Sequence, residues 1–225
     1  LVPTRLDYLP IWYGLSKVGV ICALINNQLT GTGLAHCLNI SNALHVLVDG
    51  DTSAALMAAR DQLTRQVHVW NHSAPEQGQR DLSNALKSCS SLRPDRLDSR
   101  GALRANDIAM LIYTSGTTGL PKAAKIPHMR VQLYMRGFAG ATDARPTDRI
   151  YNVLPLYHAT GGLCAMGAGL LNGGSVVLKK KFSASHFWDD VAAEGCTMFV
   201  YIGELCRYLV NQPQTEAEGR HKLRM

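Results

Sequence analysis

The sequence predicts an α/β fold of layered sheets with flanking helices, and three observations carry that prediction. Helical periodicities alternate with apolar runs along most of the chain. Those runs are short and often unbroken, 18–25 and 108–113 among them, as strands buried on both faces tend to be. The 225 residues are 46% hydrophobic and 18% charged, an ordinary globular composition that can bury a core.

The elements follow in order. Residues 7–17 read as an amphipathic helix with Leu6, Leu9, Tyr13 and Trp12 inward. Pro10 falls in its first turn, where a missing N–H costs little. A buried strand is expected over 18–25. Helix 34–40, strand 43–48, helix 53–64 and strand 66–70 come next. Gly31-Thr32-Gly33 has the start of a dinucleotide-binding glycine pattern, but His36 stands where the third glycine would be, so it reads as a loop. From Asn71 the chain turns polar. A short helix at 81–89 and the charged string Arg93-Pro94-Asp95-Arg96 mark a surface connection.

Alternation resumes with strand 108–113, a Ser/Thr/Gly loop, strand 123–126, helix 129–141 and strand 149–154. Residues 158–171 are Gly/Ala-rich and read as a helix stopped by Asn172-Gly173-Gly174. Strand 175–178 precedes a helix to Glu194, with Ser183 as its cap and Gly195 as its stop. Strand 197–201 and helix 204–211 complete the pattern. The expected organisation is a first lobe over 1–72, a connection over 73–106 and a second lobe over 107–225. The last residues, Arg220-His221-Lys222-Leu223-Arg224-Met225, form neither a turn nor a cap, so the chain is expected to break off inside something longer.

The formal net charge of +6 suits an anionic ligand such as a nucleotide or CoA, and weak attraction to an anionic membrane surface. No basic block interleaved with aromatics points to nucleic acid. Lys179-Lys180-Lys181 reads as a solvated strand end. The six cysteines show no Cys-x-x-Cys pair and no zinc spacing, which fits a reducing compartment and no metal centre. No signal peptide opens the chain, so secretion is not expected. Residues 9–25 are apolar, but Pro10, Gly14, Ser16, Lys17 and Gly19 interrupt them, and a span needs about 20 mostly apolar residues.

The stretch from Thr114 to Lys122 carries the chemistry. Four hydroxyl residues and two glycines lie between apolar strands, followed by Pro121 and Lys122. Glycines let backbone N–H groups approach an anion, hydroxyls donate to its oxygens, and the lysine adds charge. The spacing excludes a Walker loop: two residues separate Gly116 from Gly119, and the strand after Lys122 replaces the expected helix. The residues alone leave two readings, a polar hairpin loop and a phosphate cradle.

Ile112-Tyr113-Thr114-Ser115-Gly116-Thr117-Thr118-Gly119-Leu120-Pro121-Lys122 resembles the signature phosphate loop of the adenylate-forming superfamily. That superfamily includes acyl-CoA synthetases, luciferase and peptide-synthetase adenylation domains. Leu154-Pro155-Leu156-Tyr157-His158 resembles its Pro-Leu-aromatic-His motif. The stretches 177–190 and 201–209, with Gly14-Leu15-Ser16-Lys17-Val18-Gly19 and Leu24-Ile25-Asn26, resemble the fatty acid transport protein (very-long-chain acyl-CoA synthetase) branch. The resemblance covers nearly the whole chain and is weakest over 71–106.

It implies a piece of the large N-terminal domain of a fatty acid–CoA ligase that uses ATP, Mg²⁺ and CoA. Thr114, Ser115, Gly116, Thr117, Thr118, Gly119 and Lys122 would hold phosphate, with Lys122 the catalytic cation. Tyr157 and His158 would line the acyl and nucleotide pockets, and Tyr201, Gly203 and Glu204 the acyl tunnel. Each has a plainer reading: His158 as a packed or capping residue, 201–204 as a strand end and helix start. Gly161, Gly162, Gly167 and Gly169 either admit an acyl chain or pack helices closely.

The family's Tyr-Gly-x-Thr-Glu and Thr-Gly-Asp motifs and its lid lysine are not found in these residues, so the chain alone is expected to be inactive. Alternative functions are adenylation of an amino or aryl acid, a non-catalytic nucleotide-binding piece, and fatty acid uptake. The expected location is cytoplasmic or at a membrane periphery.

Overall fold

A computed structural model describes residues 1–92, 102–115 and 119–225. By compactness the chain divides into two units, Leu1–Pro3 with Asp7–His128, and Thr4–Leu6 with Met129–Met225. The expected lobe limits drew the line earlier. The β5–β6 hairpin, Ile108–Thr114 and Lys122–Pro127, stays with the first unit because β5 pairs in parallel with β1, Cys22–Leu24. Arg93-Pro94-Asp95-Arg96 lies outside the described residues.

In the first unit, helix α1 (Tyr8–Lys17) buries Tyr8 and Trp12, an i, i+4 pair, while Leu6 is 78% exposed. Trp12 lies inward as expected; Leu6 precedes the helix and is exposed, Leu9 and Tyr13 are half-buried, and Tyr8 takes the second buried place. The strand expected over 18–25 is also shortened. Val20 N–H donates to Leu15 C=O and Gly19 has φ +81, a left-handed helix stop that uses up the first residues of the apolar run. Only Cys22–Leu24 remains as β1, and Val20 and Ile21 are exposed.

Helix α2 (Gly31–Ser41) starts a turn earlier than expected, so Gly31-Thr32-Gly33 is its first turn and not a loop. It buries Leu34, Ala35, Cys37 and Leu38, the two-turn stripe of an amphipathic helix, and stops at Asn42 with φ 54. Helix α3 (Gly50–Ala59) also starts early, because Asp49 accepts from Gly50 N–H at 2.6 Å and donates its own N–H to Thr52 Oγ1 at 3.0 Å. Strands β2 (His45–Val48), β3 (His68–Asn71) and the two-residue β4 (Arg80–Asp81) form an all-parallel sheet. Helix α4 (Leu82–Lys87) follows, capped by Asp81, which accepts from Asn84 N–H. One core joins α2 and α3 to Val46, Val48 and Val69 of this sheet, to Ile25 just after β1 and to Tyr113 of β5.

The second unit is a doubly wound parallel sheet in miniature. After helix α5 (His128–Ala141), β7 (Arg149–Asn152) is flanked by β8 (Ser175–Leu178) on one side and β9 (Met198–Val200) on the other. Side chains alternate as the pleat requires. Ile150, Val176, Met198 and Val200 face a core with Ala139, Ala165 and Ala168. Tyr151, Val177 and Phe199 face the opposite core with Phe187 and Val191. The chain winds from β7 to β8 and then back past β7 to β9, so right-handed crossovers put their helices on opposite faces.

The helix expected over 158–171 is two segments, a π-helical stretch at Thr160–Ala165 and α6 at Met166–Leu171. Ser183 caps nothing; its hydroxyl meets Ser185 at 3.2 Å, and α7 (Phe187–Ala193) begins after His186. Helix α8 (Gly203–Val210) closes the series. Residues 223–225 run alongside β9: Arg224 N–H donates to Thr197 C=O and Phe199 N–H to Met225 C=O. The Arg224 guanidinium grips Asp148, 3% exposed, at 2.9 and 2.5 Å. No helix among the described residues is long and apolar enough to cross a membrane.

Candidate functional site

Strand β5 delivers the predicted loop. Its interior residues Ala109, Met110, Ile112 and Tyr113 are buried, and Thr114 is the first to emerge. Lys122 opens β6 directly opposite Thr114. The expected strand began one residue later. Lys122 therefore has a backbone fixed by the sheet, and only its side chain is free to reach.

Thr114, Ser115, Gly119 and Lys122 are all exposed. Gly119 has φ +88, a conformation that glycine adopts without strain. No hydrogen bond or ion pair ties the Thr114 hydroxyl, the Ser115 hydroxyl or Lys122 Nζ among the described residues. Gly116, Thr117 and Thr118 lie outside the described residues. The described part of the loop thus offers uncommitted hydroxyl and ammonium donors at the open end of a rigid hairpin, a donor set that fits phosphate oxygens.

The remaining predicted residues belong to the second unit, in the segments that follow two neighbouring strands of its sheet. Tyr157 and His158 follow β7, and Tyr201, Gly203 and Glu204 follow β9, its parallel neighbour. Both groups therefore leave the carboxyl ends of adjacent strands at the point where the winding reverses, where open α/β sheets bind ligands.

Asn152, fully buried, shapes the first group. Its Nδ2 donates to Gly161 C=O at 3.1 Å and its Oδ1 accepts from Leu154 N–H at 3.1 Å. His158 N–H donates to Pro155 C=O, and Gly162 N–H to His158 C=O at 2.8 Å. The His158 ring lies 4.6 Å from that of Tyr157. The loop shields His158 enough to push its pKa below the ordinary histidine value, though the residue stays open to solvent. That shift favours the neutral imidazole, and no carboxylate among the described residues orients it as a base.

Tyr201 is 52% exposed with its ring 5.6 Å from Phe199. Glu204 sits in the first turn of α8 and reaches Arg207 at 3.4 Å. Close packing decides the glycine question. A Cβ on Gly161 would lie 2.6 Å from Pro155 O, one on Gly167 2.5 Å from Met135 Cβ, and one on Gly169 2.6 Å from a Val176 methyl. A Cβ on Gly162 would overlap Leu156 O.

Sequence reasoning missed Asn152 and the Asp148–Arg224 pair. The available signal was a polar residue ending an apolar strand. A cavity of about 680 Å³ in the first unit is lined by Leu15, Ile21, Val46, Trp70 and Leu86 among others and contains none of the predicted residues. Among the described residues no three His, Cys, Asp or Glu side chains group to hold a metal ion.

A model of the AMP-binding enzyme family matches residues 1–225. The chain belongs to the AMP-binding enzyme family. Among curated relatives of this AMP-binding chain, mouse long-chain fatty acid transport protein 3 is 41% identical over 232 residues, which is 100% of this chain and 34% of the relative. Mouse long-chain fatty acid transport protein 6 is 39% identical over 229 residues, 100% of this chain and 36% of the relative. The chain thus spans about a third of these relatives' length. Among solved structures, a putative long-chain-fatty-acid CoA ligase from Rhodopseudomonas palustris superposes with TM-score 0.81 at 16% identity, covering 96% of this chain and 53% of that one. The N-terminal domain of FACL13 from Mycobacterium tuberculosis gives TM-score 0.78 at 21% identity, covering 95% and 51%. At these identities the structures show the shared fold, the α/β class read from the sequence.

Proposed function

We propose that the protein containing this AMP-binding chain activates a long- or very-long-chain fatty acid with ATP and passes it to CoA. A carboxylate oxygen attacks the α-phosphorus, the bond to the bridging oxygen of pyrophosphate breaks, and acyl-AMP forms. The CoA thiol gives up its proton, its sulfur attacks the acyl carbonyl, and AMP leaves with the electron pair of its bond. The observation carrying this reading is the open Thr114–Ser115–Gly119–Lys122 donor set on the β5–β6 hairpin of a family member. The names of the relatives supply the acyl class.

Thr114, Ser115 and Lys122 stabilise charge on the β- and γ-phosphates as pyrophosphate departs, with Gly116, Thr117 and Thr118 completing the loop. Mg²⁺, carried on the nucleotide's phosphates, would neutralise further charge there. Tyr157, His158, Tyr201, Gly203 and Glu204 line the acyl side; their place after the carboxyl ends of neighbouring strands of the second sheet supports this. His158 shapes the pocket and is assigned no role as a general base. The chain is part of a large N-terminal domain, the protein works in the cytoplasm or at a membrane periphery, and uptake follows from trapping the acid as its CoA ester.

ATP–pyrophosphate exchange in the full-length protein tests the reading. Exchange should require a long-chain acid and fall about 100-fold in Lys122→Ala, the usual scale for losing one transition-state donor. Undiminished exchange in Lys122→Ala would sink the proposed role. The 225-residue chain alone should give no exchange, because the ribose and metal motifs are not within it.

A further inference from the structure

Both feet of the loop are tied to one turn of α2. At the entry, the buried Tyr113 donates its hydroxyl to Cys37 C=O at 3.0 Å. At the exit, Pro121 C=O lies 2.9 Å from His36 Nε2. A carbonyl only accepts, so Nε2 is the nitrogen that carries the proton. His36 and Cys37 are consecutive, and their neighbours Leu34, Ala35 and Leu38 are buried in the unit's core. The anchor is therefore rigid. Pro121 has no N–H, so its carbonyl is the main-chain group through which this corner can be held. Lys122 is the next residue.

We propose that His36 is a positioning residue for the phosphate loop. Its Nε2–H fixes the exit foot at Pro121 while Tyr113 fixes the entry foot, and together they set where Lys122 can reach. The proposal rests on reading the loop as a phosphate site. In this role His36 acts through the Pro121 carbonyl and needs no contact of its own with the nucleotide.

The test compares wild type, His36→Phe and His36→Gln in the full-length protein. Two readouts are taken: ATP–pyrophosphate exchange, and amide hydrogen exchange of 119–125 without nucleotide. Losing one net hydrogen bond corresponds to about a fivefold change in the held population. His36→Phe should raise KM for ATP about fivefold and speed amide exchange of 119–125 by a similar factor, leaving KM for the fatty acid unchanged. His36→Gln, whose side-chain amide can also donate to Pro121, should recover most of both. Unchanged amide exchange in His36→Phe overturns the proposal whatever the activity does. Equal impairment of both variants also overturns it, marking His36 as packing alone. Should Lys122→Ala be silent while the amide readout follows His36 as expected, the phosphate reading fails and the tether stands.

Discussion

Gly161→Ala is the sharpest probe of how the second unit presents Tyr157 and His158. The new Cβ would sit 2.6 Å from Pro155 O and 2.7 Å from Leu154 O. Tolerated carbon–oxygen contacts begin near about 3.3 Å, so two carbonyls must each withdraw by roughly 0.7 Å. Both are backbone atoms, and no rotamer change relieves them. Gly161 C=O also accepts from buried Asn152, so moving the glycine instead strains that bond. Overpacking of this kind costs about 1–3 kcal/mol, and the backbone contacts place it at the upper end, about 2–3 kcal/mol. In a chain this size that lowers Tm by roughly 5–10 °C. Gly14→Ala on α1 is the internal control: nothing lies within 4 Å of its added Cβ. Replacing an unconstrained helical glycine gains about 0.5–1 kcal/mol. The two substitutions should therefore shift Tm in opposite directions in differential scanning calorimetry. A Gly161→Ala variant melting within about 1 °C of wild type would refute the close approach, and with it the account of how the loop bearing His158 is held.

Two further outcomes follow from the same structure. Arg224 foremost, with Thr197 and the Arg145 N–H, holds the Asp148 carboxyl well below the ordinary aspartate range. A group depressed on folding adds stability above its unfolded pKa and loses it on acidification. Asp148→Asn should therefore cost about 2–3 kcal/mol near pH 7, and urea titrations should show that gap closing as the pH falls below about 4; a constant gap would argue against it. Burial pushes the Cys22, Cys37 and Cys196 thiols up to about 11, whereas Cys89 is exposed. Iodoacetamide near neutral pH should label Cys89 first and spare those three until unfolding, and mass spectrometry showing early labelling of Cys37 or Cys196 would contradict the packing described.

Much of this fold was legible because its strands are short apolar runs punctuated by Gly and Asn. Strand β8 matches its expected limits, and β5 and β7 lie within two residues of theirs at either end. What failed was local. The run at 18–25 looked like one strand because hydropathy cannot see a left-handed glycine stop inside it. Ser183 looked like a cap because a serine before an aromatic run carries no sign of how far away the first turn begins. The residue types of the loop left a polar hairpin and a phosphate cradle open, and only the resemblance of 112–122 to a signature phosphate loop favoured the second. His36 was not legible, because its partner is a backbone carbonyl 85 residues away, and a carbonyl leaves no trace in side-chain identity.

Lys122 has one more consequence. Strand β6 pairs with β5 on one side only, so it is an outer strand of the β1–β5–β6 sheet among the described residues. Lys122 and Lys125 are both exposed, on opposite faces of the strand, and Pro127 ends it. Exposed lysines and a terminal proline are what discourage an outer strand from zipping onto a second molecule. The charge proposed for phosphate would then also act as a guard against self-association. Lys122→Ala leaves a run of three alanines along that edge, whereas Lys122→Arg keeps the charge. Reading both variants by light scattering as well as by turnover separates a lost ligand contact from a newly adhesive strand.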